Sequence, residues 1–123
     1  MRVGVHTKIT PEVRAARAHF RKNDPAHAAI SQQIEQVIFW KGAVAIAYEG
    51  DLPLSAVAAR PGTRSANSRE PALNLYAAIT SVEGRGRGAA TACFDAILEA
   101  YPTQKSVKSA AATLEGLRWQ YSR

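Results

Sequence analysis

The chain is almost without cysteine: Cys93 is alone among 123 residues. A single thiol excludes an intramolecular disulfide framework and fits a reducing compartment. Histidine is scarce as well, and His6, His19 and His27 all fall in the N-terminal third. There is no Cys/His group with zinc spacing and no acidic cluster suited to a hard cation, so no metal is expected. No apolar run approaches the roughly 20 residues needed to span a bilayer, so no membrane partner is expected. Met1-Arg2-Val3 is followed by no apolar leader segment, which argues against secretion. These absences together lead to the expectation of a soluble, cytoplasmic protein.

What is present suits one folded domain over residues 1–123, long enough to bury a single core without staples. Hydrophobic residues make up 46% and charged residues 21%, ordinary values for a globular chain. The formal charge of +6 suits an anionic ligand or partner without choosing between a cofactor and nucleic acid.

Arg2 to Lys8 alternates weakly, as a short strand would. Thr10-Pro11-Glu12 reads as a helix start, with threonine at the N-cap, proline in the first helical position and an acid in the first turn. That helix is expected to run to about Arg21, with Val13, Ala16 and Phe20 facing inward. Asn23-Asp24-Pro25 breaks it and caps a second helix, ending near Lys41-Gly42, in which Ala26, Ala29, Ile30, Ile34, Val37 and Ile38 recur at helical spacing; Val37 to Trp40 could also be extended. Ala43–Tyr48 and Leu52–Ala59 are small-residue apolar runs around Glu49-Gly50-Asp51, which reads as an antiparallel hairpin. Arg60 to Glu70 has no apolar periodicity and reads as an exposed loop. Leu73 to Val82 is expected to be a strand, Ala90 to Tyr101 a helix, Ser106 to Ala112 a strand and Thr113 to Tyr121 a last helix.

Between the Leu73–Val82 strand and the helix that follows lies Glu83-Gly84-Arg85-Gly86-Arg87-Gly88-Ala89-Ala90. Glycines let the backbone approach a ligand closely, and the first N–H groups of a helix carry a partial positive charge and have no intrahelical acceptor. The combination suits an anion, and a diphosphate in particular. A dinucleotide-binding fingerprint places its glycines early, after the first strand, within parallel βαβ units; these come late. A nucleotide-triphosphate loop needs a lysine and a hydroxyl after its last glycine, and neither follows Gly88.

At Arg85-Gly86-Arg87-Gly88-Ala89-Ala90 the sequence resembles the GCN5-related N-acetyltransferases, whose pyrophosphate loop is written Q/R-x-x-G-x-G/A. Ala43–Ala59 resembles the family's second and third strands, Leu73–Val82 its fourth, Ala90–Tyr101 the helix that carries the loop, and Ser106–Ala112 its fifth strand. Leu117 to Arg123 resembles its late helix, where a tyrosine is followed by a basic residue. Two departures stand out. The asparagine common seven residues before that tyrosine is Leu114 here, and the sequence ends at Arg123, where the family's last two strands normally follow.

The resemblance implies an α/β (α+β) fold, a mixed and mostly antiparallel sheet flanked by helices and truncated at its C-terminal side. It implies acetyl-CoA as co-substrate, with the pyrophosphate on Arg85, Gly86, Arg87, Gly88, Ala89 and Ala90 and the thioester carbonyl beside Thr80, Ser81 and Val82. It implies an amine-bearing acceptor, protein or small molecule. Tyr121 matches the tyrosine that often protonates the leaving sulfur, and equally suits an aromatic packed on the core. No general base stands out among Glu49, Glu83 and the histidines. Cys93, on the apolar stripe of its helix, reads as a packing residue.

A homo-oligomer in which a second subunit completes the sheet is one consequence of the short C-terminal side. A protein that keeps the fold and has lost the chemistry is another. Nucleic-acid binding through Arg60, Arg64, Arg69, Arg85 and Arg87 is disfavoured, because no aromatic residues are interleaved with them.

Overall fold

The computed structural model describes residues 1–23, 28–61, 72–101 and 106–109. Its elements are β1 (Arg2–His6), α1 (Pro11–Asn23), α2 (Ala28–Phe39), β2 (Ala43–Glu49), β3 (Leu52–Pro61), β4 (Ala72–Thr80), a single 3-10 turn (Val82–Gly84), α3 (Ala89–Ala100) and β5 (Ser106–Ser109). The five strands form one sheet in chain order. The first four are antiparallel neighbours, and β5 runs parallel to β4 along Ala72 to Leu75. The expected mixed, mostly antiparallel sheet with flanking helices is what the chain forms. Residues 110–123, which hold the anticipated last helix, Leu114 and Tyr121, lie outside the described residues, as does most of the 60–70 loop.

Both faces of the sheet are covered, which explains why its central strands read as unbroken apolar runs rather than alternating ones. Val44, Ile46 and Tyr48 of β2, Ala56 and Ala58 of β3, and Ala77 and Ile79 of β4 pack against Val13, Ala16 and Phe20 of α1 and Ile34 and Val37 of α2. The opposite face brings Ala43, Ala45, Ala47, Leu54, Val57, Ala59 and Leu75 against Ala89, Cys93, Phe94 and Ile97 of α3. Burial of each larger aliphatic side chain contributes about 1.5–3 kcal/mol before entropy is counted. The start of α1 is capped as its sequence suggests: the Val13 N–H donates to Thr10 Oγ1 at 3.2 Å.

Two β-bulges set where the site lies. Ala47 pairs with Ser55 but Tyr48 pairs with Pro53, which leaves Leu54 as an extra residue on β3. Ala58 pairs with Ala77 but Ala59 pairs with Leu75, which leaves Tyr76 as an extra residue on β4. The second bulge puts Leu75 on the α3 face while Ala77 and Ile79 face α1 and α2. Tyr76 is turned outward beside Trp40, with ring centroids 5.6 Å apart.

Element limits differ from expectation in places with a clear cause. α1 runs on to Asn23, two residues past the expected end. Arg60, expected in a loop, continues β3 by pairing with Asn74. The stretch from Val37 stays helical to Phe39, and Lys41 then turns the chain with a φ of 64°. β4 stops at Thr80 instead of Val82, because the Ser81 N–H leaves the ladder and donates to the Leu54 carbonyl at 2.8 Å.

Candidate cofactor site

The site begins at that exchange of partners. The Leu54 carbonyl, freed by the bulge, accepts from both the Ser81 N–H (2.8 Å) and the Ser81 hydroxyl (3.1 Å). Ser81 Oγ in turn accepts from the Gly84 N–H at 3.3 Å and so caps the 3-10 turn. One residue further along β3, the Ser55 hydroxyl donates to the Ile79 carbonyl at 2.7 Å and lies 3.2 Å from Thr80 Oγ1. The beginning of β3 is thus a platform to which the end of β4 is fastened. Gly84 is buried on this platform, and a Cβ there would lie 2.5 Å from the Leu54 carbonyl oxygen.

Beyond Gly84 the chain swings outward. Arg85, Gly86, Arg87 and Gly88 are all exposed. Gly86 and Gly88 each have a φ of +73°, a left-handed conformation that disfavours any residue with a Cβ, and nothing lies within 4 Å of where a Cβ would stand. Gly88 is the N-cap of α3 and supplies no side-chain cap. The N–H groups of Arg85 and Arg87 are used within the turn, by the carbonyls of Val82 and Gly84, and the Ala92 N–H closes onto Gly88. The N–H groups of Gly86, Gly88, Ala89 and Ala90 have no acceptor among the described residues. Four donors without an acceptor among the described residues, at the positive end of a 12-residue helix, suit an anion.

The other residues singled out from the sequence fall as follows. Thr80 and Ser81 are tied to β3, and the Ser81 N–H is committed to Leu54. The Val82 N–H, by contrast, has no acceptor among the described residues, and the residue is exposed. The Arg87 guanidinium donates to the Glu49 carboxylate at 2.9 Å, and that carboxylate also lies 3.7 Å from the N-terminal amine. Among the described residues Arg85 has no ion-pair partner. Its neighbour Glu83 is fully exposed, and its carboxyl is held below the usual range by its own backbone N–H and the Ser81 hydroxyl. A carboxylate stabilised in that way is a weak base.

Cys93 is completely buried, its thiol directed at the Ser55 carbonyl at 3.6 Å, and burial pushes its pKa up to about 12. It is a packing residue. Iodoacetamide at mildly alkaline pH is expected to leave Cys93 unmodified in the native protein and to alkylate it fully in denaturant; fast labelling of the folded chain, read by mass spectrometry, would contradict this. Among the described residues no group of His, Cys, Asp and Glu could hold a metal ion, and no helix is long and apolar enough to cross a membrane.

No protein-family model matches the chain, and no curated protein matches it either. Solved structures do. An aminoglycoside acetyltransferase from an uncultured soil metagenomic sample superposes with a TM-score of 0.71 at 14% identity, covering 99% of this chain and 90% of that one. The chain has the acetyltransferase fold. The ribosomal-protein-alanine N-acetyltransferase of Brucella melitensis biovar Abortus 2308 matches with a TM-score of 0.67 at 14% identity, over 99% of this chain and 89% of that one. The aminoglycoside N-acetyltransferase AAC(6')-Iy, in complex with CoA, matches with a TM-score of 0.69 at 16% identity, over 98% and 84%. The superposition with these acetyltransferases takes in 98–99% of the chain, and so the sheet and the helices on both of its faces.

What the sequence did not disclose is the platform. Leu54 and Ser55 are unremarkable within an apolar run, and only the bulge makes a carbonyl available there. Ser81 could have been noticed as a hydroxyl three residues before a glycine, a spacing that suits a cap.

Proposed function

We propose that the chain is an acetyl-CoA-dependent N-acetyltransferase that moves an acetyl group to an amine. The observation that carries this reading is the set of four N–H groups at Gly86, Gly88, Ala89 and Ala90 that have no acceptor among the described residues, in a chain with the acetyltransferase fold. These groups would bind the pyrophosphate, with the dipole of α3 behind them and the Arg85 side chain at the edge. Thr80 and Ser81, fastened to β3, fix the direction in which the chain leaves the sheet, and the free N–H of Val82 is the donor placed to hold a carbonyl. When bound, acetyl-CoA supplies an acetyl group activated as a thioester. Tyr121 is proposed as the proton donor to the leaving sulfur.

The aminoglycoside acetyltransferases among the structural neighbours include one in complex with sisomicin and one with a bisubstrate analogue. That likeness favours a small-molecule amine as acceptor over a protein. We further propose a single cytoplasmic domain that works as a homo-oligomer. A second reading, a protein that binds the cofactor without turnover, is favoured by one observation: the carboxyl of Glu83, at the start of the glycine turn, is held below the usual carboxylate range.

Saturating acetyl-CoA is expected to raise the melting temperature, since a ligand at about 100 times its Kd stabilises the native state by about 2.7 kcal/mol. A melting curve unmoved by millimolar acetyl-CoA would sink both readings. If the shift occurs, release of free thiol on addition of an amine panel separates the enzyme from the binding protein.

A further inference from the structure

β1 ends the sheet on the side away from β5, and among the described residues no strand lies beyond it. An outer strand leaves a row of N–H and C=O groups open to pairing, and folded proteins ordinarily blunt such an edge with a bulge, a proline or a lysine. β1 has none of the three: its register with β2 runs unbroken from Arg2–Tyr48 to His6–Val44, and its sequence is Arg2-Val3-Gly4-Val5-His6. The apolar side chains of Met1 and Val5 stand 56% and 40% exposed there. Val3 packs on the α3 side of the sheet, so Val5, two residues on, points to the same side. Arg2 lies over the Tyr48 ring and His6 lies 3.7 Å from Glu12, which puts both on the side of α1.

We propose that this edge pairs with β1 of a second copy of the chain, antiparallel and centred on Gly4, so that one sheet runs through both copies. The strand is nearly palindromic about Gly4, and that selects a second copy over an unrelated strand. A two-fold axis perpendicular to the sheet keeps each face on its own side, so residues that oppose each other share a face. With Gly4 opposite the partner's Gly4, Val3 stands opposite the partner's Val5, and Val5 opposite the partner's Val3. Four valines then meet on the α3 side, next to the apolar cluster that already takes in Val3. On the other side Arg2 stands opposite the partner's His6, and the Glu12 carboxylate lies 3.7 Å from that histidine within its own copy. A cation therefore meets a carboxylate at each end of the junction, and the two Arg2 side chains stay apart. A Cβ at Gly4 would stand 3.3 Å from its own His6 Nε2, so glycine keeps the position on the axis uncrowded. The pairing also leaves the glycine turn free. Arg87 and the N-terminal amine lie 2.9 and 3.7 Å from the Glu49 carboxylate, which places the turn at the Met1 end of β1. Antiparallel strands send the two turns to opposite ends of the junction.

The interface specifies the homo-oligomer proposed above, stands on β1 alone and needs no acetyl-CoA. The test uses the full chain without cofactor, from micromolar to hundreds of micromolar. Sedimentation velocity is expected to show a monomer–dimer equilibrium across that range. Hydrogen exchange is expected to show the amides of β1 gaining protection as concentration rises, while those of β2 and β3 stay unchanged, because only the outer strand acquires new partners. Val5→Lys, which sets a charge on each side of the axis among the valines, is expected to weaken the dimer about tenfold or more. Val5→Ile keeps the apolar contact and is expected to preserve the dimer. A chain that remains monomeric at hundreds of micromolar would overturn the proposal, as would a Val5→Lys dimer as tight as the unaltered one. A dimer whose β1 amides exchange as fast as in the dilute protein would overturn it too. The exchange experiment needs no variant, so it decides the matter even where Val5→Lys fails to fold. That last result would leave a homo-oligomer joined elsewhere, so failure of this interface and failure of the oligomer are distinguishable. Acetyl transfer enters neither.

Discussion

Gly84→Ala is expected to destabilise the fold by about 1–3 kcal/mol, as small-to-large changes in packed interiors do. Gly84 does not hold a left-handed conformation, so the penalty is steric. A Cβ would stand 2.5 Å from the Leu54 carbonyl oxygen and 3.0 Å from its carbonyl carbon. Backbone in the centre of a sheet cannot move aside as a flexible side-chain tip can. To make room, the 3-10 turn must lift off β3, and lifting it lengthens the bonds from Ser81 to Leu54 and from Gly84 to Ser81. Each kcal/mol at this chain length corresponds to a drop of about 4 °C in melting temperature. Gly86→Ala is the comparison. It has open space but a φ of +73°, so only the left-handed strain of about 1–2 kcal/mol applies. Calorimetry of the two variants should rank Gly84→Ala as the more damaging, with the reverse order contradicting the account of the platform.

Gly88→Trp is expected to abolish the stabilisation by acetyl-CoA while leaving the protein folded. The side chain would leave the loop at the N-cap of α3, beside the N–H groups on which the pyrophosphate is proposed to lie, from a Cβ position with nothing within 4 Å. The cost to the apo protein is the backbone strain at a φ of +73°, about 1–2 kcal/mol, because nothing lies within 4 Å of where the Cβ would stand. The cost to binding is total, since an indole and a diphosphate cannot share the space. The measurement is the difference in melting temperature with and without saturating acetyl-CoA, where the unaltered chain should gain the equivalent of several degrees. A Gly88→Trp variant that keeps the full shift would remove the pyrophosphate from this loop. Gly88→Ala, with a single methyl group, should fall between the two.

The two glycine variants also mark how the candidate site relates to the sequence. That a glycine turn at Arg85 to Ala90 joins a strand to a helix was legible because its signal is local: glycines placed between an extended run and an amphipathic helix. The capped start of α1 at Thr10 and the apolar stripe of α3 were legible for the same reason. The bulges at Leu54 and Tyr76 were not. When both faces of a sheet are buried, neighbouring positions are apolar alike, and an inserted residue leaves no break in periodicity. The end of β4 was misplaced by two residues because Val82 continues the apolar run, whereas the backbone obeys the hydrogen bond from Ser81 to Leu54.

The alanines of the central strands carry a thermodynamic consequence. Ala43, Ala45, Ala47, Ala56, Ala58 and Ala59 are all buried to within 1% of full burial. An alanine has no side-chain rotamers to surrender on folding, so these positions give up backbone freedom alone. It also removes little apolar area from water, so each contributes less than a valine or leucine would. The middle of this sheet is therefore inexpensive to order and only weakly cohesive by itself. Its cohesion is lent from outside, by Phe20, Ile34 and Val37 on one face and Phe94 and Ile97 on the other. Loosening of either helical layer should reach the strands directly, and with them the Leu54 carbonyl on which the glycine turn rests.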